Sequence, residues 1–317
     1  MAAEALDPKL FRPEAISPEV KAFNDRFMQA LASPRPPAPQ KEGGSGEAPR
    51  GPMAPKPRSA RAEVRRVQAD GREVEVRILA PASGSPKGAY LHLHGGGLIM
   101  GSADQDDAFL ERTADATGLA AVSVEYRLAP AHPYPAAWDD AETAAAWLAK
   151  NVQSEFGGEA LAIGGESAGA TLAVPTLVRM RDRHGFTGFR AANLSYGNYD
   201  TTMTPSQVTN GALGYLISSE MIRNCSNAYA PDVSRRGDPD LSAIYADVRG
   251  LPPALFSVGT LDPFFDDSLI LYTRWLAAGN EAELAVYPGA PHAFNILGHP
   301  HEAAANARID AFLKRYV

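Results

Sequence analysis

Leu161-Ala162-Ile163-Gly164-Gly165-Glu166-Ser167-Ala168-Gly169-Ala170-Thr171-Leu172 is the stretch on which the fold turns. A short apolar run, Leu161 to Ile163, meets glycines and then a serine, and a helix-like stretch follows as far as Met180. This is the strand–turn–helix setting in which Gly-x-Ser-x-Gly acts as a nucleophile elbow. A Cβ at Gly165 or Gly169 would collide with neighbouring backbone, and Ser167 itself has to sit strained. The strain lifts the hydroxyl clear of the sheet, while the first N–H groups of the next helix point into the space above it. Gly, Ser and Ala are common, so the pentapeptide alone also fits an ordinary strand-to-helix turn.

Outward from this turn, strands alternate with helices. Val64 and Val67, then Val74, Val76 and Ile78, flank Ala69-Asp70-Gly71 as two strands and a turn. Gly88 to Leu93 reads as a buried strand ending in His94-Gly95-Gly96-Gly97. The pattern continues as helix 104–117, strand 119–125, helix 136–151, strand 160–164, helix 167–183 and strand 192–196. A polar interruption at 197–217 precedes helix 218–229, strand 254–258, helix 267–279, strand 282–287 and a last helix from 301. Such alternation predicts an α/β fold with a mostly parallel sheet covered on both faces. Ligands bind such sheets at the carboxyl ends of the strands, where Ser167, His94, Asp262 and His292 all fall.

Before the first strand, Ser17-Pro18-Glu19 starts a helix whose apolar face is Val20, Phe23, Phe27 and Leu31. Residues 33–57 hold eight prolines and four glycines and read as a linker. The first helix is therefore expected to dock as a lid over the site. The chain divides into an N-terminal cap helix and linker (1–60), a catalytic domain in two parts (61–196 and 236–317) and a cap insertion (197–235).

Composition narrows the function classes. With 317 residues, 45% of them hydrophobic and 21% charged, the chain can bury a substantial core. A net charge of −7 provides no basic field for nucleic acid. No apolar run is long enough to span a membrane, and no apolar amphipathic segment stands out as a lipid anchor, which argues against an interfacial lipase. The one cysteine, Cys225, excludes an intrachain disulfide and a cysteine-built metal site, and its helical-spaced apolar neighbours predict a packed thiol. With no charged-then-apolar leader at the start, the expectation is a cytoplasmic protein.

A serine hydroxyl needs a base to take its proton, and the base needs an orienting acid. Of seven histidines, His292 sits in a loop after a strand and before the final helix, a location that suits a base brought over the serine. His92 lies within a strand, His184 ends a helix, and His299 and His301 flank Pro300 near the expected surface. Asp262 stands where a strand stops, whereas Asp266 and Asp267 are explained as acids at a helix N-terminus. The order Ser167, Asp262, His292 is that of α/β-hydrolases. Gly96, Gly97 and Ala168 are the expected backbone donors for an oxyanion, with Gly95 freeing the turn. A phosphate loop is excluded because no Gly-Lys-Ser/Thr ending follows and no G-x-G-x-x-G opens a helix.

The separated motifs resemble the hormone-sensitive-lipase-like carboxylesterases. They are His94-Gly95-Gly96-Gly97, Tyr126-Arg127-Leu128-Ala129-Pro130 through to Asp139-Asp140, Gly165-Glu166-Ser167-Ala168-Gly169, Gly250-Leu251-Pro252-Pro253-Ala254, Asp262-Pro263 with Asp266, and His292-Ala293-Phe294. They cover about residues 75–317. The resemblance implies the α/β-hydrolase fold, a triad of Ser167, Asp262 and His292, and a small ester substrate of short to medium acyl chain. It also implies no cofactor and no metal, a cap from the N-terminal segment and about 197–235, and a supporting role for His94 on the oxyanion loop. A homodimer through the last strand is compatible with it. Leu98, Glu166, Ala131 and Ala293 depart from commoner residues of the family, and these departures bear on substrate choice. Leu98, Tyr196, Phe264 and Phe294 are expected pocket walls. An amidase, or an enzyme acting on a lactone, carbamate or acylated antibiotic side chain, would keep the same triad. A hydrolase-fold binding protein or hormone receptor would generally lack one of its members.

Overall fold

Strands β1 (Glu63–Ala69) and β2 (Arg72–Leu79) form the expected hairpin, turned by Asp70 and Gly71, both at positive φ. The remaining strands are β3 (Gly88–Leu93), β4 (Ala120–Glu125), β5 (Ala160–Glu166), β6 (Ala191–Ser195), β7 (Ala254–Gly259) and β8 (Ala282–Tyr287). All eight join one sheet in the order β1-β2-β4-β3-β5-β6-β7-β8. β2 pairs antiparallel with β1 and β4, and every other pairing is parallel. The computed structural model describes residues 6–32 and 57–317; the proline-rich linker read at 33–57 lies outside the described residues except for Pro57.

The helices are α1 (Pro18–Ala32), α2 (Asp107–Thr117), α3 (Ala136–Phe156), α4 (Ala168–His184), α5 (Pro205–Thr209), α6 (Ser219–Tyr229), α7 (Phe265–Ala277) and α8 (Glu302–Lys314). Two layers of apolar side chains hold them to the sheet. On one face Trp138, Leu148, Leu172, Leu177, Leu271 and Trp275, from α3, α4 and α7, pack on alternate strand residues such as Leu91, Val122 and Ile163. On the other face Phe109 and Leu110 from α2 meet Ile309, Phe312 and Leu313 from α8 over Tyr90, Ala162 and Leu255. Because β3, β5, β6 and β7 are covered on both faces, they are buried along their whole length, which explains their near-continuous small and apolar sequences.

Three details differ from the sequence reading. The interruption at 197–217 contains α5 and a 3₁₀ turn (Gly211–Leu213), both too short for a periodic signal. Helix α1 docks as far as Phe27, and its last turn stays exposed. Ser17 Oγ caps it by accepting the Val20 N–H at 3.2 Å, Val20 and Phe27 are buried, and Asn24 Nδ2 donates to the Gly289 carbonyl at 2.8 Å. Leu31, expected on the docked face, is exposed because among the described residues nothing covers the last turn. Finally, His299 is buried rather than superficial, its ring 4.9 Å from that of Phe23.

Candidate active site

Ser167 stands between β5 and α4 with φ 56° and ψ −117°, a conformation that costs a non-glycine residue roughly 1–3 kcal/mol. The surroundings hold it there. Its N–H donates to the Ser195 carbonyl at 2.9 Å, and its carbonyl accepts from Thr171 N at 2.9 Å. A Cβ on either Gly165 or Gly169 would overlap the Leu93 carbonyl, so the elbow can close only with glycine at both positions.

The loop after β8 brings His292 over this turn. Its Nε2 lies 2.9 Å from Ser167 Oγ, and its Nδ1 lies 3.0 Å and 3.1 Å from the two oxygens of Asp262. Asp262 is fully buried at the end of β7, where its Oδ1 also accepts the Phe264 N–H at 2.8 Å. Asn210 pins the same loop by donating to the carbonyls of Thr260 and Asp262 at 3.2 Å and 3.0 Å. Three side chains far apart in sequence thus form one hydrogen-bonded line.

The oxyanion candidates are shaped by the backbone of the glycine loop. Gly96 (φ +125°) and Gly97 (φ +63°) adopt backbone conformations that side chains rarely tolerate. The Gly96 carbonyl closes the loop by accepting from Ile99 N and Met100 N at 3.2 Å and 3.1 Å. The N–H groups of Gly96, Gly97 and Ala168 donate to no acceptor among the described residues. His94 supports this loop. Its ring stacks on Tyr126 with centroids 4.0 Å apart, its Nδ1 bonds the Gly95 carbonyl at 2.8 Å, and Tyr126 Oη donates to the His94 carbonyl at 2.7 Å. Burial pulls the His94 pKa down to about 4, so the imidazole is neutral at neutral pH and fits a supporting part.

The four expected wall residues, Leu98, Tyr196, Phe264 and Phe294, are all buried. Tyr196 and Phe264 set their rings edge-on to His292, at 4.8 Å and 5.3 Å between centroids. Phe294 packs behind them against Tyr196 and Tyr287, and Leu98 sits in the core beneath the glycine loop. Tyr196 and Phe294 belong to an internal network, in which the Tyr196 hydroxyl donates to Asn295 Oδ1. Tyr196 and Phe264 thus pack on the histidine ring, with Phe294 supporting Tyr196.

Several contributors escaped the sequence reading because they depend on register or on contacts between distant loops. Cys225 on α6 is buried as expected, yet a Cβ on Gly97 would lie only 2.8 Å from its Sγ, so it props the glycine loop. Asp267 accepts from Tyr199 N, Asp200 N, Thr204 Oγ1 and Gln207 Nε2 at 2.7–3.0 Å, fastening the 197–207 segment to α7. Glu166 Oε2 meets His92 Nε2 at 2.9 Å. Only parallel pairing, which sets His92 opposite Gly164, brings that last pair together.

Comparison with known proteins gives a consistent answer. Residues 90–296 match the α/β hydrolase fold family. The chain is 31% identical over 241 residues to an ethyl acetate hydrolase of Pseudomonas putida, covering 74% of this chain and 76% of that protein. A hyperthermophilic esterase from the archaeon Pyrobaculum calidifontis superposes with a TM-score of 0.77 at 27% identity, over 98% of this chain and 99% of the other. A bacterial hormone-sensitive-lipase-family esterase superposes with a TM-score of 0.75, also at 27% identity, over 95% and 98%. Among the described residues no helix is long and apolar enough to cross a membrane. The chain therefore belongs to the α/β-hydrolase family and, within it, to the hormone-sensitive-lipase-like carboxylesterases, enzymes that hydrolyse carboxylic esters.

Proposed function

We propose that this esterase hydrolyses short- to medium-chain acyl esters in two steps through an acyl-enzyme on Ser167. The observation that carries the reading is the 2.9 Å contact between His292 Nε2 and Ser167 Oγ, with Asp262 bonded to the opposite ring nitrogen. His292, kept in the right tautomer by Asp262, takes the Ser167 proton as Oγ attacks the ester carbonyl carbon. The carbonyl oxygen becomes an oxyanion against the unpaired N–H groups of Gly96, Gly97 and Ala168. As the intermediate collapses, the carbon–oxygen bond to the alcohol breaks and His292 protonates the departing oxygen. A water deprotonated by His292 then attacks the acyl carbonyl, and as the acyl–Oγ bond breaks His292 returns the proton to Ser167 Oγ, releasing the acid and free enzyme.

Likeness to an ethyl acetate hydrolase supports a small acyl group. α1 and the 197–235 segment act as the cap. This part rests on α1 docking through Asn24 to Gly289, three residues before the base, and on α6 packing by Cys225 against Gly97. The test uses purified Ser167→Ala. Activity toward p-nitrophenyl butyrate is expected to fall by about a millionfold, to whatever the binding site and donors sustain without a nucleophile. Retention of most activity overturns the assignment, and preference for long insoluble triglycerides overturns the substrate class.

A further inference from the structure

Beneath the serine turn, on the face covered by α2 and α8, lies a buried charged group that the two-step chemistry leaves unused. His92 on β3 is wholly enclosed, and its Nδ1 bonds Ser123 Oγ on β4 at 3.0 Å. Its Nε2 bonds Glu166 Oε2 at 2.9 Å. Glu166 is the residue before Ser167, is itself buried, and its other oxygen, Oε1, has no hydrogen-bond partner among the described residues. A second carboxylate, Asp106, enters from the start of α2; its ligand atoms and those of His92 and Glu166 all lie within 4.8 Å of one another. Asp106 Oδ2 accepts from Gln105 Nε2 at 3.1 Å. Tyr90, two residues earlier on β3, lies beside the pair with its ring 6.0 Å from that of His92, and Tyr196 and His94 are the other ionisable side chains that feel its charges.

A buried carboxylate next to the nucleophile opposes catalysis unless it is neutralised. Like charges repel far more strongly in a low-dielectric interior than in water. An uncompensated Glu166 would therefore work against the oxyanion that forms beside Ala168 N–H, one residue beyond Ser167. A metal ion entering here would have to break the 2.9 Å His92–Glu166 hydrogen bond, so the gap is already occupied by a proton.

We propose that His92, as an imidazolium, is the counter-charge that allows Glu166 to stand beside Ser167, which makes the two a positioning pair for the serine turn. The charge balance around the ring agrees. Burial works against a charged His92, but Glu166 and then Asp106 outweigh it and raise its pKa above the ordinary histidine value. Serine, carboxylate and imidazolium occupy neighbouring strand ends, so a change in the pair reaches Oγ through a single peptide unit.

The inference rests on Ser167 as the nucleophile, and the experiment keeps the two claims apart. His92→Gln, Glu166→Gln and the double variant are compared with wild type for kcat and KM on p-nitrophenyl acetate, with folding checked by circular dichroism. Covalent labelling of wild-type Ser167, absent in Ser167→Ala, first establishes the nucleophile; labelling that persists in Ser167→Ala sinks that reading itself. His92→Gln strands a buried carboxylate, and kcat is expected to fall about tenfold to a hundredfold with KM within about threefold. Adding Glu166→Gln removes the stranded charge and is expected to restore kcat to within about fivefold of wild type, a rescue that a packing role does not give. A double variant as impaired as His92→Gln, or a fully active His92→Gln, overturns the inference. If His92→Gln does not fold, Glu166→Gln and the double variant decide it: activity near wild type in both supports the pair, and loss in both refutes it.

Discussion

Gly97→Ala isolates the contribution of one N–H group of the glycine loop. Gly97 has φ +63°, and an alanine held in left-handed backbone is disfavoured by about 1–2 kcal/mol. Its new Cβ would also lie 2.8 Å from Cys225 Sγ. Ordinary carbon contacts begin at roughly 3.5–4.0 Å, so either the loop or α6 has to move by about 1 Å. A donor displaced that far from an oxyanion loses most of its effect, and deleting one such donor costs roughly 100- to 1,000-fold in kcat. The assay is steady-state hydrolysis of p-nitrophenyl acetate. It should report kcat about 100-fold lower with KM changed far less, because the donor acts on charge that develops only in the transition state. Cys225→Ala supplies the control. It removes Sγ and leaves Cys225 Cβ, 3.6 Å from the new methyl, at ordinary contact distance. The double variant should therefore recover about tenfold or more, retaining only the cost of the backbone conformation. An undiminished Gly97→Ala would remove Gly97 from the list of donors. A double variant no better than the single one would refute the steric reasoning.

Two further outcomes follow from the same geometry. Asp262→Asn keeps the volume but favours the wrong His292 tautomer, and kcat should fall by about 10,000-fold while circular dichroism stays native; a loss under tenfold would deny Asp262 its orienting role. His299, buried against Phe23 and Phe294, has its pKa pulled down to about 4 by desolvation, against about 6.5 for a free imidazole. The unfolded chain binds this proton first, so the stability contribution is complete above pH 6.5 and is lost as pH falls through about 4. His94 shifts in the same direction, so the informative quantity is the difference in Tm between wild type and His299→Gln from pH 7 to pH 4. That difference should narrow with acidification, and parallel curves would contradict it.

What the sequence disclosed, and what it withheld, has a physical division. Gly165, Gly169 and the Gly95–Gly97 run were legible because each answers a local steric demand that a Cβ would violate. Ser167, Asp262 and His292 were legible because each follows a strand, and parallel strands deliver their carboxyl ends to one edge of the sheet. Tyr196 and Phe264, expected as walls, set their rings against His292. A position just beyond a strand end, as at Tyr196, says nothing about whether an aromatic ring faces the ligand or packs on the histidine. The His92–Glu166 pair and the Cys225–Gly97 contact were invisible for another reason. One depends on the register of β3 against β5, and the other on where α6 lands. The exposed end of α1 belongs to the same class, since helical spacing marks an apolar stripe without saying how far its partner extends.

The claim at the centre is that His292 draws a proton from Ser167 and thereby makes that one serine nucleophilic. It is tested most directly by exposing native protein to a fluorophosphonate and locating the adduct by tandem mass spectrometry. Stoichiometric phosphonylation of Ser167, slowed about 1,000-fold or more in His292→Ala, is the expected result. An adduct on another residue, or an equal rate with the imidazole removed, would contradict it.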